Sequence, residues 1–171
     1  MRLLQKTIKR IQNGNEQEEW PEPDVSLDGP AYLPEGYISD SAQKLHFYRR
    51  LSRAGGQTEI EAIRIELADR FGSPPAETAR LLDASVLRIL GRSIGVERVI
   101  VSKNSARVSF REGIVPRMAV LEGPMRQRQA ELEVHRITPL SLSLYQAGAD
   151  PILETVTLAL AALSSAHSAA A

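Results

Sequence analysis

Three charged residues stand together near the middle of the chain: Glu66, Asp69 and Arg70. Their spacing of i, i+3, i+4 puts all three on one face of a helix. A carboxylate pair beside a guanidinium can receive a partner's arginines while the arginine reaches a partner's acid. Bidentate arginine–carboxylate contacts give orientation as well as energy. The same residues have a purely local use: Glu66 and Arg70 are an i, i+4 pair that stabilises its own helix by roughly 0.2–0.5 kcal/mol.

Other candidates for chemistry are weaker. Gly91-Arg92-Ser93-Ile94-Gly95 matches G-x-S-x-G, and Asp150 and His167 follow in the chain order of a hydrolase triad. A nucleophile elbow needs a strand before its serine and a helix after it, whereas here a helical pattern precedes Ser93 and a strand pattern follows. His167 falls in a small, polar stretch expected to be disordered, where nothing holds it against Ser93. A small serine hydrolase is the least favoured reading. Ser41-Ala42-Gln43-Lys44 matches S-x-x-K without its companion motifs. No G-x-x-x-x-G-K-[ST] phosphate loop occurs. His46, His135 and His167 lack metal-ligand spacing. No catalytic residue, metal or cofactor is expected. Lys44, Arg49, Arg50 and Arg53 line the outer face of one helix and suit phosphate contacts in an accessory nucleic-acid-contacting domain. A lone charged helix face is more often simply solvated.

Composition fits a soluble globular chain. Of 171 residues, 43% are hydrophobic and 25% charged, enough for one domain with a proper core. The 21 basic and 21 acidic residues cancel, so no global basic excess argues for nucleic acid. The absence of cysteine excludes disulfides and thiolate metal sites and fits the cytoplasm. No apolar run is long enough to span a membrane, and the start lacks the apolar core of a signal peptide. Charge is nonetheless segregated. Residues 1–15 carry Arg2, Lys6, Lys9 and Arg10 and no acid, whereas residues 16–28 carry Glu16, Glu18, Glu19, Glu22, Asp24 and Asp28 and no base. That switch reads as a helix followed by a solvated linker.

The elements that must position these residues follow from periodicity and punctuation. Leu4, Ile8 and Ile11 mark a first helix over 1–15. Residues 16–39 read as an acidic linker and extended segment, with a short edge strand at 25–27 and anchors at Tyr32, Leu33, Tyr37 and Ile38. A folded unit over 40–163 follows. Asp40 caps a helix with a buried stripe of Ala42, Leu45, Tyr48 and Leu51. Thr58 and Glu61 form a capping box for the next helix, which buries Ile60, Ile63, Leu67 and Phe71. Gly72 ends it, and Ser73, Pro74 and Pro75 open a third helix that runs to Ser93 and stops at Gly95. Val99 and Val101, then Ala106, Val108 and Phe110, alternate as a β-hairpin whose turn uses Asn104 in a left-handed conformation. In the poorly patterned stretch 113–130, Pro116 opens a short helix that Gly123-Pro124 ends. Strands are expected at 132–137 and 140–145. A last helix from Asp150-Pro151 buries Ile152, Val156, Leu160 and Leu163, and a disordered tail fills 164–171. The class is α+β, with N-terminal helices packed on a small antiparallel sheet and a C-terminal helix.

The order of features resembles a known family. Ala31-Tyr32-Leu33-Pro34-Glu35-Gly36-Tyr37-Ile38 precedes Leu45-His46-Phe47-Tyr48-Arg49-Arg50-Leu51. Glu66-Leu67-Ala68-Asp69-Arg70-Phe71-Gly72 follows, with Pro75 behind it. This set is similar to the C-terminal domain of bacterial transcription-repair coupling factors. Arg2-Leu3-Leu4-Gln5-Lys6-Thr7-Ile8 resembles the helix that leads from their motor region into that domain. The resemblance is close over about 1–100 and loose beyond 113. It implies a non-catalytic, autoinhibitory domain of transcription-coupled DNA repair. Such a domain folds back on a UvrB-like module of the same protein and covers the surface that UvrA would use. It also implies that the family's acidic-and-arginine contact cluster falls on Glu66, Asp69 and Arg70. The family's ATP-dependent DNA translocase motifs, its polymerase-binding module and its UvrB-like module have no counterpart in this sequence. DNA and RNA polymerase would be met only through such modules, and the chain reads as a fragment of a longer architecture.

Overall fold

The structure, a computed structural model, describes residues 20–136, 139–146 and 151–169. The expected helix over 1–15 lies outside the described residues, as does Asp150.

The chain enters the fold through a segment that the sequence marks as acidic linker, and the segment is pinned rather than free. Asp24–Ser26 forms strand β1. Leu33 and Ile38 are buried. The Leu33 amide donates to the Tyr48 hydroxyl at 2.9 Å, and Arg80 Nε donates to the Pro30 carbonyl at 2.8 Å. Leu33, Tyr37 and Ile38 anchor it to the core as the sequence suggests, whereas Tyr32, also expected as an anchor, is 45% exposed.

Three helices follow. Helix α1 (Ser41–Arg53) starts at Asp40, whose carboxylate accepts from the Ala42 and Gln43 amides. Its buried residues are Phe47 and Leu51; Ala42, Leu45 and Tyr48, expected inside, are exposed, Leu45 at 48% and Tyr48 at 36%. The stripe is rotated because Gln43, Phe47 and Arg50 face the next helix. Helix α2 (Gln57–Phe71) buries Ile60, Ile63 and Leu67 as its period predicts, while Phe71, at its end, is only half-buried. It begins before Thr58, so the Thr58–Glu61 box does not form; Glu59 instead accepts from the Gly55 amide at 3.3 Å. Helix α3 (Ala76–Ser93) is capped by Pro75 without a side-chain bond, so Ser73 takes no capping role.

A five-stranded sheet fills the second half, in the order β1-β2-β3-β5-β4. Strands β2 (Val96–Val101) and β3 (Ser105–Phe110) form the expected hairpin, with Val99, Val101, Ala106, Val108 and Phe110 all buried. Its turn closes with Ser102 N to Ser105 O at 2.8 Å, and Asn104 is not left-handed. Strands β4 (Ala130–His135) and β5 (Ser141–Gln146) pair antiparallel, and β5 docks on β3. The sheet is mixed, since β1 joins the β2 edge in parallel. Between β3 and β4 lie a 3₁₀ turn (Met118–Leu121) and helix α4 (Glu122–Arg128). Gly123-Pro124 therefore sits in the first turn of a helix, where proline needs no amide, rather than ending one.

Helix α5 (Ile152–Ser168) covers the sheet and buries Ile152, Val156, Leu160 and Leu163. It continues past residue 163 because its alanine- and leucine-rich sequence favours helix, so the tail expected from 164 is helical to Ser168. Two apolar cores result. One joins the sheet, α5 and the end of α3; the other joins α1, α2, the start of α3 and Leu33 and Ile38. The class is α+β, as the pattern predicts. Among the described residues no helix is long and apolar enough to cross a membrane.

Candidate interaction surface

The last turns of α2 carry Glu66, Asp69 and Arg70 into a corner made by Gly72. Gly72 has φ 82° and ψ −174°, a conformation nearly restricted to glycine. Tyr37 clamps the corner from the extended segment: its hydroxyl donates to the carbonyls of Leu67 (3.0 Å) and Gly72 (2.8 Å). The Gly72 carbonyl lies just past the helix and has no intrahelical donor of its own. Desolvation raises the Tyr37 pKa. Tyr37, Phe71 and Phe47 stack edge to face with centroids 5.8 and 6.0 Å apart.

On this aromatic floor lies a charged network. Arg70 sits 5.1 Å from the Phe71 centroid and 5.6 Å from that of Phe47. Its Nη1 donates to Glu66 Oε1 and its Nη2 to Gln43 Oε1, both at 2.8 Å. Arg50, also 5.6 Å from the Phe47 centroid, donates to Glu66 Oε2. The Arg50 hydrogen bond, opposed by burial and helped by Arg70, holds the Glu66 carboxyl below its ordinary range. Glu66 is thus saturated by arginines of its own chain.

Asp69 is different. It is exposed, and among the described residues it has no side-chain hydrogen bond or ion pair. Ile65, 61% exposed, lies one turn before it on the same helix face. The three sequence candidates are therefore close together but unequal. Glu66 and Arg70 brace the corner, and Asp69 is the free charge beside an exposed apolar side chain. Gln43, Phe47 and Arg50 belong to the network too. Their i, i+4, i+7 spacing on α1 was the available signal, obscured by the competing apolar stripe through Leu45 and Tyr48.

The basic face dissolves in three dimensions. Arg50 turns inward to Glu66, leaving Arg49 and Arg53 one turn apart and Lys44 on another side of α1. Ser93 ends α3; its hydroxyl donates to the Leu90 carbonyl and bonds the Ser164 hydroxyl, both at 2.8 Å. His167 lies on α5 rather than in a disordered tail, yet no strand–turn–helix elbow surrounds Ser93. Among the described residues no group of His, Cys, Asp or Glu is arranged to hold a metal.

The model of the TRCF domain family matches residues 27–119, over half of the chain. The chain is 33% identical over 146 residues to the transcription-repair-coupling factor of Myxococcus xanthus, a match covering 80% of this chain and 11% of that protein. With the Haemophilus influenzae factor it shares 33% over 114 residues, 64% of this chain and 10% of the relative. With that of Escherichia coli it shares 30% over 116 residues, 66% and 10%. The chain spans about a tenth of the length of these relatives. A crystal structure of the C-terminal domain of transcription-repair coupling factor superposes with a TM-score of 0.75 at 20% identity. It covers 90% of this chain and 99% of that one, and the likeness carries the fold alone. On the sequence match, the chain belongs to the TRCF domain family of transcription-repair coupling factors, proteins of DNA repair.

Proposed function

We propose that this chain is a non-enzymatic regulatory domain of transcription-coupled DNA repair. The end of α2 docks on a UvrB-like module and masks the surface through which that module would bind UvrA. The observation that carries the reading is Asp69: a solvent-facing carboxylate with no partner among the described residues, mounted on a corner that is otherwise rigidly braced. A braced mount loses little conformational freedom on docking, which favours a specific contact.

The division of labour follows from the hydrogen bonds. Asp69 receives a cation of the partner, and Ile65 supplies apolar contact beside it. Glu66 and Arg70 act from behind by fixing the helix end. An autoinhibitory contact of this kind need only be weak. Where the two modules share a chain, linkage supplies an effective concentration near mM, and a contact of comparable dissociation constant can be opened by an event elsewhere.

The test is a solution NMR titration of the isotopically labelled domain with the UvrB-like module. Shift changes clustered on residues 60–75 are expected. They should disappear with Asp69→Lys, whose own spectrum should otherwise match the parent. UvrA should compete for the module. Shift changes that survive Asp69→Lys would move the interface elsewhere on the domain.

A further inference from the structure

A second surface stands apart from the α2 corner. The C-terminal ends of α3 and α5 and the loop 113–117 border an open groove whose apolar walls include Ile89, Ile94, Ile114 and Leu163. Val115, on its rim, is 80% exposed, more than any other exposed large hydrophobic among the described residues. Trp20 lines the same groove. It is the first described residue, so the segment before it is covalently joined at the groove.

We propose that this groove seats the chain's own segment 1–15, docked through Leu4, Ile8 and Ile11. Three observations name that occupant. First, those residues recur at i, i+4, i+7 and so form one apolar face, with Lys6, Lys9 and Arg10 on the other. A helix this short is marginal in water unless its apolar face is buried. Second, reach is sufficient. The residues between Ile11 and Trp20 extend up to roughly 30 Å at about 3.3 Å each, enough to turn back along the groove. Third, charge is complementary where the segment meets Trp20. Glu16, Glu18 and Glu19 precede it, and Arg92 and Arg117 border the groove. Arg111 donates from Nη2 to the Pro21 carbonyl at 3.3 Å, while its Nε is buried without a hydrogen-bond partner. A carboxylate from the acidic run would satisfy it.

The groove lies apart from the α2 corner, so occupation of one surface leaves the other free. Trp20 is the sole tryptophan of the chain, so its fluorescence reports the groove directly. In the full chain, Ile8→Asp with Ile11→Asp should red-shift Trp20 emission and raise its quenching by acrylamide. Val115→Asp, made from the groove side, should do the same. Neither touches the buried core, so the domain should keep its cooperative unfolding, while far-UV circular dichroism should lose only the helical signal of the released segment. A spin label on Arg117→Cys, a groove-lining position in a chain with no other cysteine, should broaden the methyl signals of Leu4, Ile8 and Ile11 at every protein concentration. Unchanged Trp20 emission in the segment variant overturns the proposal. So does broadening that fades on dilution, which would make the occupant a second copy, and so does the absence of broadening.

Discussion

Both carboxylate oxygens of Glu66 are engaged by arginines of this chain, whereas Asp69, less than a turn further on, is engaged by none among the described residues. Substitutions at the two acids should therefore separate stability from binding. Asp69→Lys should leave unfolding free energy within about 0.5 kcal/mol of the parent, as expected for an exposed site without partners. Glu66→Gln keeps the shape but removes the charge that two guanidiniums share, and should cost about 1 kcal/mol in denaturant unfolding. Its effect should depend on pH with a definite sign. The folded-state pKa of Glu66 is depressed. Its contribution is therefore present above the ordinary glutamate value of about 4.3 and is lost as pH falls through the lower folded value. The gap between parent and Glu66→Gln should be full at neutral pH and close in acid. A gap that persists unchanged in acid would show that the loss comes from packing rather than charge.

At the scale of elements, the corner after α2 depends on backbone more than on contacts. A Cβ at Gly72 would meet nothing within 4 Å, so space is not the constraint. Its positive φ with extended ψ is the constraint, and Gly72→Ala should cost about 1–3 kcal/mol. Tyr37→Phe should cost about 1 kcal/mol by releasing the Leu67 and Gly72 carbonyls from their donor. Chemical denaturation of both variants checks these values; a neutral Gly72→Ala would mean that the corner relaxes. The glycine was legible in the sequence, because a glycine followed by prolines marks a helix end. Tyr37 was legible as an anchor, but not the target of its hydroxyl, because no local pattern pairs it with carbonyls so far along the chain. Helices with a clean period, α2 and α5, were largely legible on their buried faces, although Phe71 is only half-buried and Thr155 and Ala159 join the α5 face. Helix α1 was not, since Leu45 and Tyr48 offer an apolar stripe that competes with Phe47 and Leu51. Tertiary contact, with Arg50 drawn toward Glu66, decides between the two. The parallel seat of β1 likewise depends on a β2 edge that no local pattern announces.

Across the whole molecule, α3 is the element shared by two cores. Leu81 and Leu82 belong to the helical core, and Leu87 and Leu90 to the sheet core. Among the described residues the helical core has ten buried hydrophobic residues against eighteen for the other. Arg64 to Asp83 at 2.8 Å pins α2 to α3. The smaller core should open first, so amides of α1 and α2 should exchange at a lower free energy than those of β2, β3 and β5. Ile63→Ala, which should cost about 2–5 kcal/mol as a buried truncation, should speed exchange in α1 and α2 and leave the central strands near their parent rates. Leu87→Ala should lower protection in the sheet as well, because its core holds the strands. One common exchange free energy in all elements would refute the two-core description. The docking corner lies on the less stable core, and a partner that binds only the closed form stabilises it by mass action. Saturation with the UvrB-like module should therefore raise protection in α1 and α2 but not in β3. Equal protection throughout would mean that docking is coupled to the sheet, and that α3 transmits between the cores rather than dividing them.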